Sequence, residues 1–227
     1  MSGHLLGRGF PNNALLRARP IRLVPVTFDA AGGGNNGAAN PLSWSETITG
    51  NAVLVLGSVL SNTLTGITAT VGSASMNQLP GSPFYVGSNL YLFAFGLVNG
   101  PTGTQTIAVD FAGGVSNGSA ADSLSYNNLA GFGTPVTNNA ASGTAISVSA
   151  ASAPLNMVAA VMSSAGSTAS SISNFNQTIR YTHATVSGGS RATVIGDAPG
   201  APTVTFTGTA PGSSAWGAMA VPLLRIL

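Results

Sequence analysis

From residue 24 onward the chain alternates short runs of β-forming residues with clusters of glycine, proline and asparagine. Ile107, Val109 and Phe111 fall on alternate positions, and the same period recurs at Ile146 and Val148 and at Val204 and Phe206. Successive side chains of an extended chain point to opposite faces, so each of these runs predicts a strand with one buried face. Two runs, 52–60 and 90–98, are apolar on both faces; in the second, Leu90, Leu92 and Ala94 stand opposite Tyr91, Phe93 and Phe95. That pattern predicts central strands, or strands covered by a partner. The last run alternates too, but Pro222 cannot donate to a ladder and predicts an edge position or a bulge.

Read this way, strands are expected over 24–29, 43–48, 52–60, 66–71, 89–98, 104–111, 145–149, 156–162, 177–185, 191–196, 203–207 and 215–224. The connections are turn chemistry, among them Gly32 to Gly37, Pro80-Gly81-Ser82-Pro83, Asn99-Gly100-Pro101 and Pro211-Gly212. No helix longer than a turn is needed, and no fixed-period repeat of the solenoid kind is present. Many short antiparallel strands with frequent turns predict an all-β fold, a single antiparallel β-sandwich of jelly-roll type, with a barrel as the alternative. No composition break divides residues 24–227, which read as one sandwich domain.

Residues 1–23 differ. They place Gly3, Gly7, Gly9, Pro11 and Pro20 among arginines and leucines and keep neither period, which predicts an extended N-terminal arm. Leu5, Leu6, Phe10, Leu15, Leu16, Ile21 and Leu23 make this arm too apolar for a simple solvated tail.

Charge sharpens that division. Charged residues are 5% of the chain, against about a quarter in ordinary soluble domains, so the surface must be mostly hydroxyl, amide and glycine. Such a surface has little like-charge repulsion, and self-association into a homo-oligomer is expected. There is no lysine. Arg8, Arg17, Arg19 and Arg22 give the first 25 residues +4, while Arg180, Arg191 and Arg225 face five carboxylates in the remainder. Arginine anchors with main-chain pairing suit an arm that adds to a neighbouring subunit, which makes Arg8, Phe10, Arg17, Arg19 and Arg22 the candidate partner-binding residues. A nucleic-acid partner is not expected, because the body carries no basic face. The chain lacks cysteine, so neither disulfides nor thiolate metal sites enter. It lacks any apolar run of membrane-spanning length, and Gly7, Gly9 and Pro11 interrupt the place of a signal peptide, so no membrane partner is expected.

Catalytic material is thin. Five carboxylates are scattered over the chain, and Asp110, on the face opposite Ile107, Val109 and Phe111, reads as a solvated strand position. His4 and His183 are the two available imidazoles; no Gly-x-Ser-x-Gly elbow accompanies them, and His183 reads as a half-buried strand residue. No ligand pair has a recognised metal spacing, leaving open a loop cation held by carbonyls, and the glycine-rich 32–37 stretch lacks the Lys-Ser/Thr of a phosphate loop. Neither catalytic residues nor a cofactor are therefore expected. Trp44, Tyr85, Tyr126 and Tyr181 are the aromatic types a glycan-binding sandwich would expose, although Trp44 and Trp216 sit in alternating strands and read as core.

The segments Ser43-Trp44-Ser45, Ala52 to Gly57, Gly66 to Gly72, Leu90 to Phe93, Gly103 to Val109 and Ala215 to Val221 resemble β-sandwich domains of minor tail proteins in actinobacterial phages. The resemblance spans roughly residues 26–225 and is one of strand and turn residues, without a catalytic signature. It implies a virion component, located in the tail or on the capsid surface, whose partners are other virion proteins and, for tail-tip members, a host cell-wall glycan. The alternatives from other classes are a carbohydrate-binding module and a capsid decoration protein.

Overall fold

The computed structural model describes residues 23–115, 118–166, 170–185 and 191–226. These residues are all-β and antiparallel, as the alternation predicts, and form four sheets. The first sheet runs β1 (Thr27–Ala31), β11 (Ser119–Asn127), β4 (Ala52–Leu60), β9 (Leu90–Val98), β7 (Asn77–Gln78), with β2 (Asn35–Gly37) on β11 and β8 (Phe84–Gly87) on β9. The second runs β3 (Leu42–Ile48), β10 (Gly103–Ala112), β5 (Gly66–Val71), β6 (Ala74–Ser75). The third runs β12 (Leu129–Phe132), β19 (Trp216–Arg225), β15 (Met157–Ala165), β17 (Arg191–Pro199), β16 (Thr178–Thr185), and β13 (Val136–Ala140) also pairs β19. The fourth is β14 (Ala145–Ala150) with β18 (Val204–Thr209).

Three apolar layers hold these sheets in the order second, first, third, fourth. β4 shows why: Val53, Val55 and Val59 enter the layer shared with the second sheet, whereas Leu54, Leu56 and Leu60 enter the layer shared with the third. β15 does the same on the other side, giving Ala159 and Val161 to the central layer and Val158, Ala160 and Met162 to the layer under the fourth sheet. Strands apolar on both faces are thus central. The layering is richer than one two-sheet sandwich: two sandwiches lie back to back on their larger sheets. Burying a Leu or Phe side chain contributes roughly 1.5–3 kcal/mol, so the central layer is a cohesive interface.

The strand order of the first sandwich recurs in the second. β3, β4, β9, β10 and β11 correspond to β14, β15, β17, β18 and β19: β11-β4-β9 matches β19-β15-β17, and β3-β10 matches β14-β18. The halves share hydrophobic pattern and topology.

Two sequence expectations change. Residues 119–127, rich in the weak β formers Ser, Ala and Asp, are outside the expected strands, yet they form β11, buried from Ser119 to Tyr126 between β1 and β4. Small side chains suit it because its neighbours supply the bulk: a Cβ on Gly57 would lie 2.4 Å from the Phe93 ring and 2.5 Å from the Ala120 carbonyl oxygen. β19 is internal, so the edge alternative for Pro222 is lost, while the bulge alternative holds: residues 133–135 stand opposite 221–222, one residue more than the ladder needs. Pro222 pairs Val158 on one side, and on the other its carbonyl accepts the Gly133 N–H at 2.8 Å, where the neighbouring chain passes from β12 to β13. The missing N–H therefore faces a break in the ladder.

Candidate functional site

The partner-binding residues expected from sequence, Arg8, Phe10, Arg17, Arg19 and Arg22, lie outside the described residues. The chain becomes described at Leu23, at one end of the stack. There the Val26 N–H donates to Leu155 O at 2.8 Å, and Asn128 Nδ2 donates to Pro25 O at 3.0 Å. The Ile226 N–H donates to Asn128 O at 3.1 Å, and the Arg225 N–H to Asn156 Oδ1 at 3.1 Å. Four distant segments meet here: the entry of the chain, the β11–β12 junction, the β14–β15 loop and the end of β19.

These bonds gather Leu23, Val24, Leu155, Leu224 and Ile226, each 40–51% exposed, at one end. Leu155 sits at φ 70°, a left-handed conformation costing a branched residue roughly 1–2 kcal/mol. Its carbonyl anchors Val26 in that geometry. Two clefts open beside the patch. One, about 540 Å³, is lined by Thr49, Asn51, Asn99, Thr102, Asn128 and Ile226 among others. The other, about 260 Å³, is lined by Ala153, Asn156, Leu224 and Arg225.

The larger cleft is amide and hydroxyl in character. Asn51 is committed to structure, donating to Leu129 O at 2.8 Å and accepting the Leu129 N–H at 3.1 Å. Among the described residues no carboxylate, imidazole or aromatic ring lines either cleft. Such walls offer hydrogen-bond donors and acceptors to a bound group.

Apart from Arg225 at the smaller cleft, the ionisable side chains of the described residues lie elsewhere, mostly inside. Asp29 has its oxygens filled by the Thr49 hydroxyl, the Thr49 and Gly50 N–H groups and Ser125 Oγ; burial raises its pKa, but these hydrogen bonds outweigh it and hold the carboxyl below its ordinary value. Glu46 is buried between the first two sheets, and desolvation pushes its carboxyl up. The Ser123 and Ser125 hydroxyls moderate that rise without reaching hydrogen-bond geometry, so neither Glu46 oxygen has a partner among the described residues. Asp122, fully buried on the opposite face of β11, is raised to about 7 by desolvation; Oδ1 accepts the Ser123 N–H, whereas Oδ2 has no such partner. Asp197 is raised by burial and partly restored by Arg180, whose Nη2 lies 3.0 Å from Oδ1, and by Tyr126 Oη, which donates to Oδ2 at 3.1 Å. The Arg180 guanidinium also covers the Phe28 ring at 3.4 Å, so this knot ties the first sheet to the third.

Burial and the neighbouring Arg191 lower His183 to about 4, and burial lowers Arg191 to about 10. His183 is half-buried in β16 and Asp110 is exposed on β10, both as the alternation predicts. Among the described residues no group of three His, Asp or Glu side chains is placed to hold a metal ion. Of the aromatic candidates for glycan stacking, Trp44 and Tyr126 are core, and Trp44 Nε1–H donates to Ser123 Oγ at 2.8 Å. Tyr181 is half-buried against Gly34. Tyr85 is 54% exposed and meets Tyr91 at 5.0 Å between ring centroids.

Sequence reasoning missed the apolar end patch. Leu155 follows a proline in a turn and Leu224 ends an amphipathic strand, so neither stands out until the fold brings both to the chain entry. Comparisons with known proteins found no matching family model, no matching curated protein and no matching solved structure.

Proposed function

We propose that this protein is a non-enzymatic structural subunit of a bacteriophage virion, a minor tail protein whose N-terminal arm docks on neighbouring virion proteins while the double sandwich presents an outward surface. The observation that carries this reading is the exposed apolar end patch of Leu23, Val24, Leu155, Leu224 and Ile226, continuous with the entry of an arginine-rich segment on a body otherwise almost free of surface charge. Exposed apolar surface rimmed by polar groups is characteristic of protein–protein contacts. The outward faces of β3, β10 and β5 carry Ser45, Thr47, Thr104, Thr106, Thr68 and Thr70, a hydroxyl surface suited to a packed particle. Removing residues 1–23 and following the truncated chain into particles tests the proposal: a folded protein that no longer enters particles supports it, and normal incorporation overturns it. Gold labelling of particles separates tail from capsid surface.

A second reading, glycan binding for host adhesion, is favoured by the exposed Tyr85–Tyr91 pair, since aromatic faces stack on sugar rings. Cell-wall pull-down with Tyr85→Ala as the control tests it. Equal retention of both proteins, or none of either, removes Tyr85 as the platform.

A further inference from the structure

We propose that Arg191 and His183 form an oxyanion site inside the body, where the third sheet packs on the first, and that it takes a small bidentate anion such as phosphate or sulfate. The observation that carries this is how the Arg191 guanidinium is partnered. The side chain is 0% exposed, and Nη1 donates to the Gly118 carbonyl oxygen, which ties β17 to the chain entering β11. Nε and Nη2 are buried with no acceptor among the described residues. These two nitrogens carry the parallel N–H bonds of the side-on fork, the edge with which arginine grips two oxygens of one carboxylate, phosphate or sulfate. Burial lowers Arg191 only to about 10, so the fork is charged at neutral pH.

No side-chain carboxylate of the chain answers this charge. The five are Asp29, Glu46, Asp110, Asp122 and Asp197. Asp29 is filled by Thr49, Gly50 and Ser125, and Asp197 is held by Arg180 in the one ion pair among the described residues. Glu46 is buried between the first and second sheets, and Asp110 is exposed on β10 of the second. Asp122 stands four residues along the chain from Gly118, about 13 Å in an extended strand, and its Oδ1 accepts the Ser123 N–H. A buried guanidinium with neither an acid nor a full set of acceptors is strongly destabilising, so the matching oxygens come from outside the chain.

His183 extends the site. In the β16–β17 ladder His183 pairs Thr193 and Thr185 pairs Arg191, which makes His183 and Arg191 diagonal neighbours on one face, roughly 7–8 Å apart. Its Nε2 is buried and unpartnered too, and a neutral imidazole can present that nitrogen as an N–H donor. The hydroxyls nearby are matched among themselves: Thr193 Oγ1 lies 2.8 Å from Ser58 Oγ and 3.0 Å from Ser163 Oγ, and Ser163 donates to Ala192 O at 3.0 Å. The unmet nitrogens on this face are thus the fork and the imidazole. β16 is the edge strand of its sheet and His183 is half-buried, which gives a small ion a way in. A guanidinium wholly out of solvent leaves no approach for a macromolecule, so the ligand is a free ion.

The test uses the full-length chain at constant ionic strength in chloride, with labelled phosphate and then sulfate in equilibrium dialysis. A single ion per chain should bind saturably, the two anions should compete, and the NMR titration midpoint of His183 should move upward from about 4 when the ion is present. Arg191→Lys keeps the charge and loses the fork, and is expected to weaken binding about tenfold; His183→Ala, at an edge position, is expected to weaken it about threefold. No saturable binding of either anion, or binding unchanged in Arg191→Lys, overturns the inference. If Arg191→Lys does not fold, the parent chain decides: a bound ion that shifts His183 supports the site, and one that leaves His183 unmoved sits elsewhere and overturns it. Either result leaves the assembly reading standing, because the site lies inside the body.

Discussion

The two sandwiches follow one strand order and differ in what they do with the strand after the second. In the first sandwich β5 crosses to the outer sheet and pairs β10, so that sheet is four strands wide. In the second, β16 stays on the inner sheet beside β17, and the outer sheet keeps β14 and β18 alone. The edge of β18 is then satisfied by an irregular segment: Ser173 exchanges both backbone hydrogen bonds with Thr209, and Asn176 accepts the Thr207 N–H at 2.8 Å while donating to Thr205 O at 3.0 Å. Side-chain amides stand where a strand would. The fillings differ accordingly. Phe93, Phe95 and Phe111 pack edge to face in the first sandwich, whereas Ala160, Ala192, Ala198, Ala218 and Ala220 dominate the second around Phe206 and Trp216. The layer under the wide outer sheet is filled with rings, and the layer under the narrow one chiefly with alanines.

Truncation should therefore hurt the first sandwich most, and enlargement should hurt wherever backbone or an alanine layer already fills the space. Phe111→Ala is expected to cost about 4 kcal/mol in urea unfolding, because a fully buried ring leaves a cavity in a layer that cannot collapse. Gly57→Ala is expected to cost about 3 kcal/mol, since its Cβ meets a backbone carbonyl that cannot move aside, while Gly131→Ala, with open space around its Cβ, is the neutral control.

Buried acids sharpen the comparison through pH. Asp122 of the first sandwich has no arginine partner, whereas Asp197 of the second has Arg180. With a folded value near 7 against an ordinary 3.8, Asp122 holds its proton more tightly in the folded state; its contribution is complete below pH 4 and lost as pH rises to 7. Asp122→Asn should therefore gain stability at pH 8, by at most about 4 kcal/mol, and little at pH 4. His183 acts in the opposite sense: its value near 4 against 6.5 means that stability is present above 6.5 and lost as pH falls toward 4. A D122N profile that declines less between pH 4 and 7 than the parent chain's supports the assignment, and one unchanged from the parent chain removes it.

Smaller effects test the second sandwich. Ala218→Leu should cost about 2 kcal/mol by overfilling the alanine layer, where the same enlargement at exposed Ala112 costs nothing measurable. Asn176→Ala should cost about 1 kcal/mol and speed amide exchange along β18 before β10, because two backbone groups lose their cap.

Much of this was legible in the chain. The runs 52–60 and 66–71 form strands over those residues, and the inward faces of Ile107, Val109, Phe111, Ile146, Val148, Val204 and Phe206 are all buried. β11 was not legible, because Ser, Ala and Asp promise no strand unless larger neighbours close over them. The repeat of the strand order was hidden for a related reason: phenylalanines in one layer and alanines in another share a period, not a composition. The charge and apolar content of residues 1–23 predict an arm, but nothing in the sequence predicts the exposed end patch, which joins residues 23, 155, 224 and 226 from far apart along the chain.

The sequence by itself determined which residues extend, which of their faces avoid water, and how little charge remains for the surface, since these follow from local geometry and side-chain chemistry. Only the tertiary structure decided which sheet each strand joined, that two sandwiches share a central layer through contacts such as Ser58 to Thr193 at 2.8 Å, and which single carboxylate stayed free in solvent. Those outcomes depend on pairings between segments a hundred residues apart, where the alternation of one strand is compatible with many partners and packing selects among them.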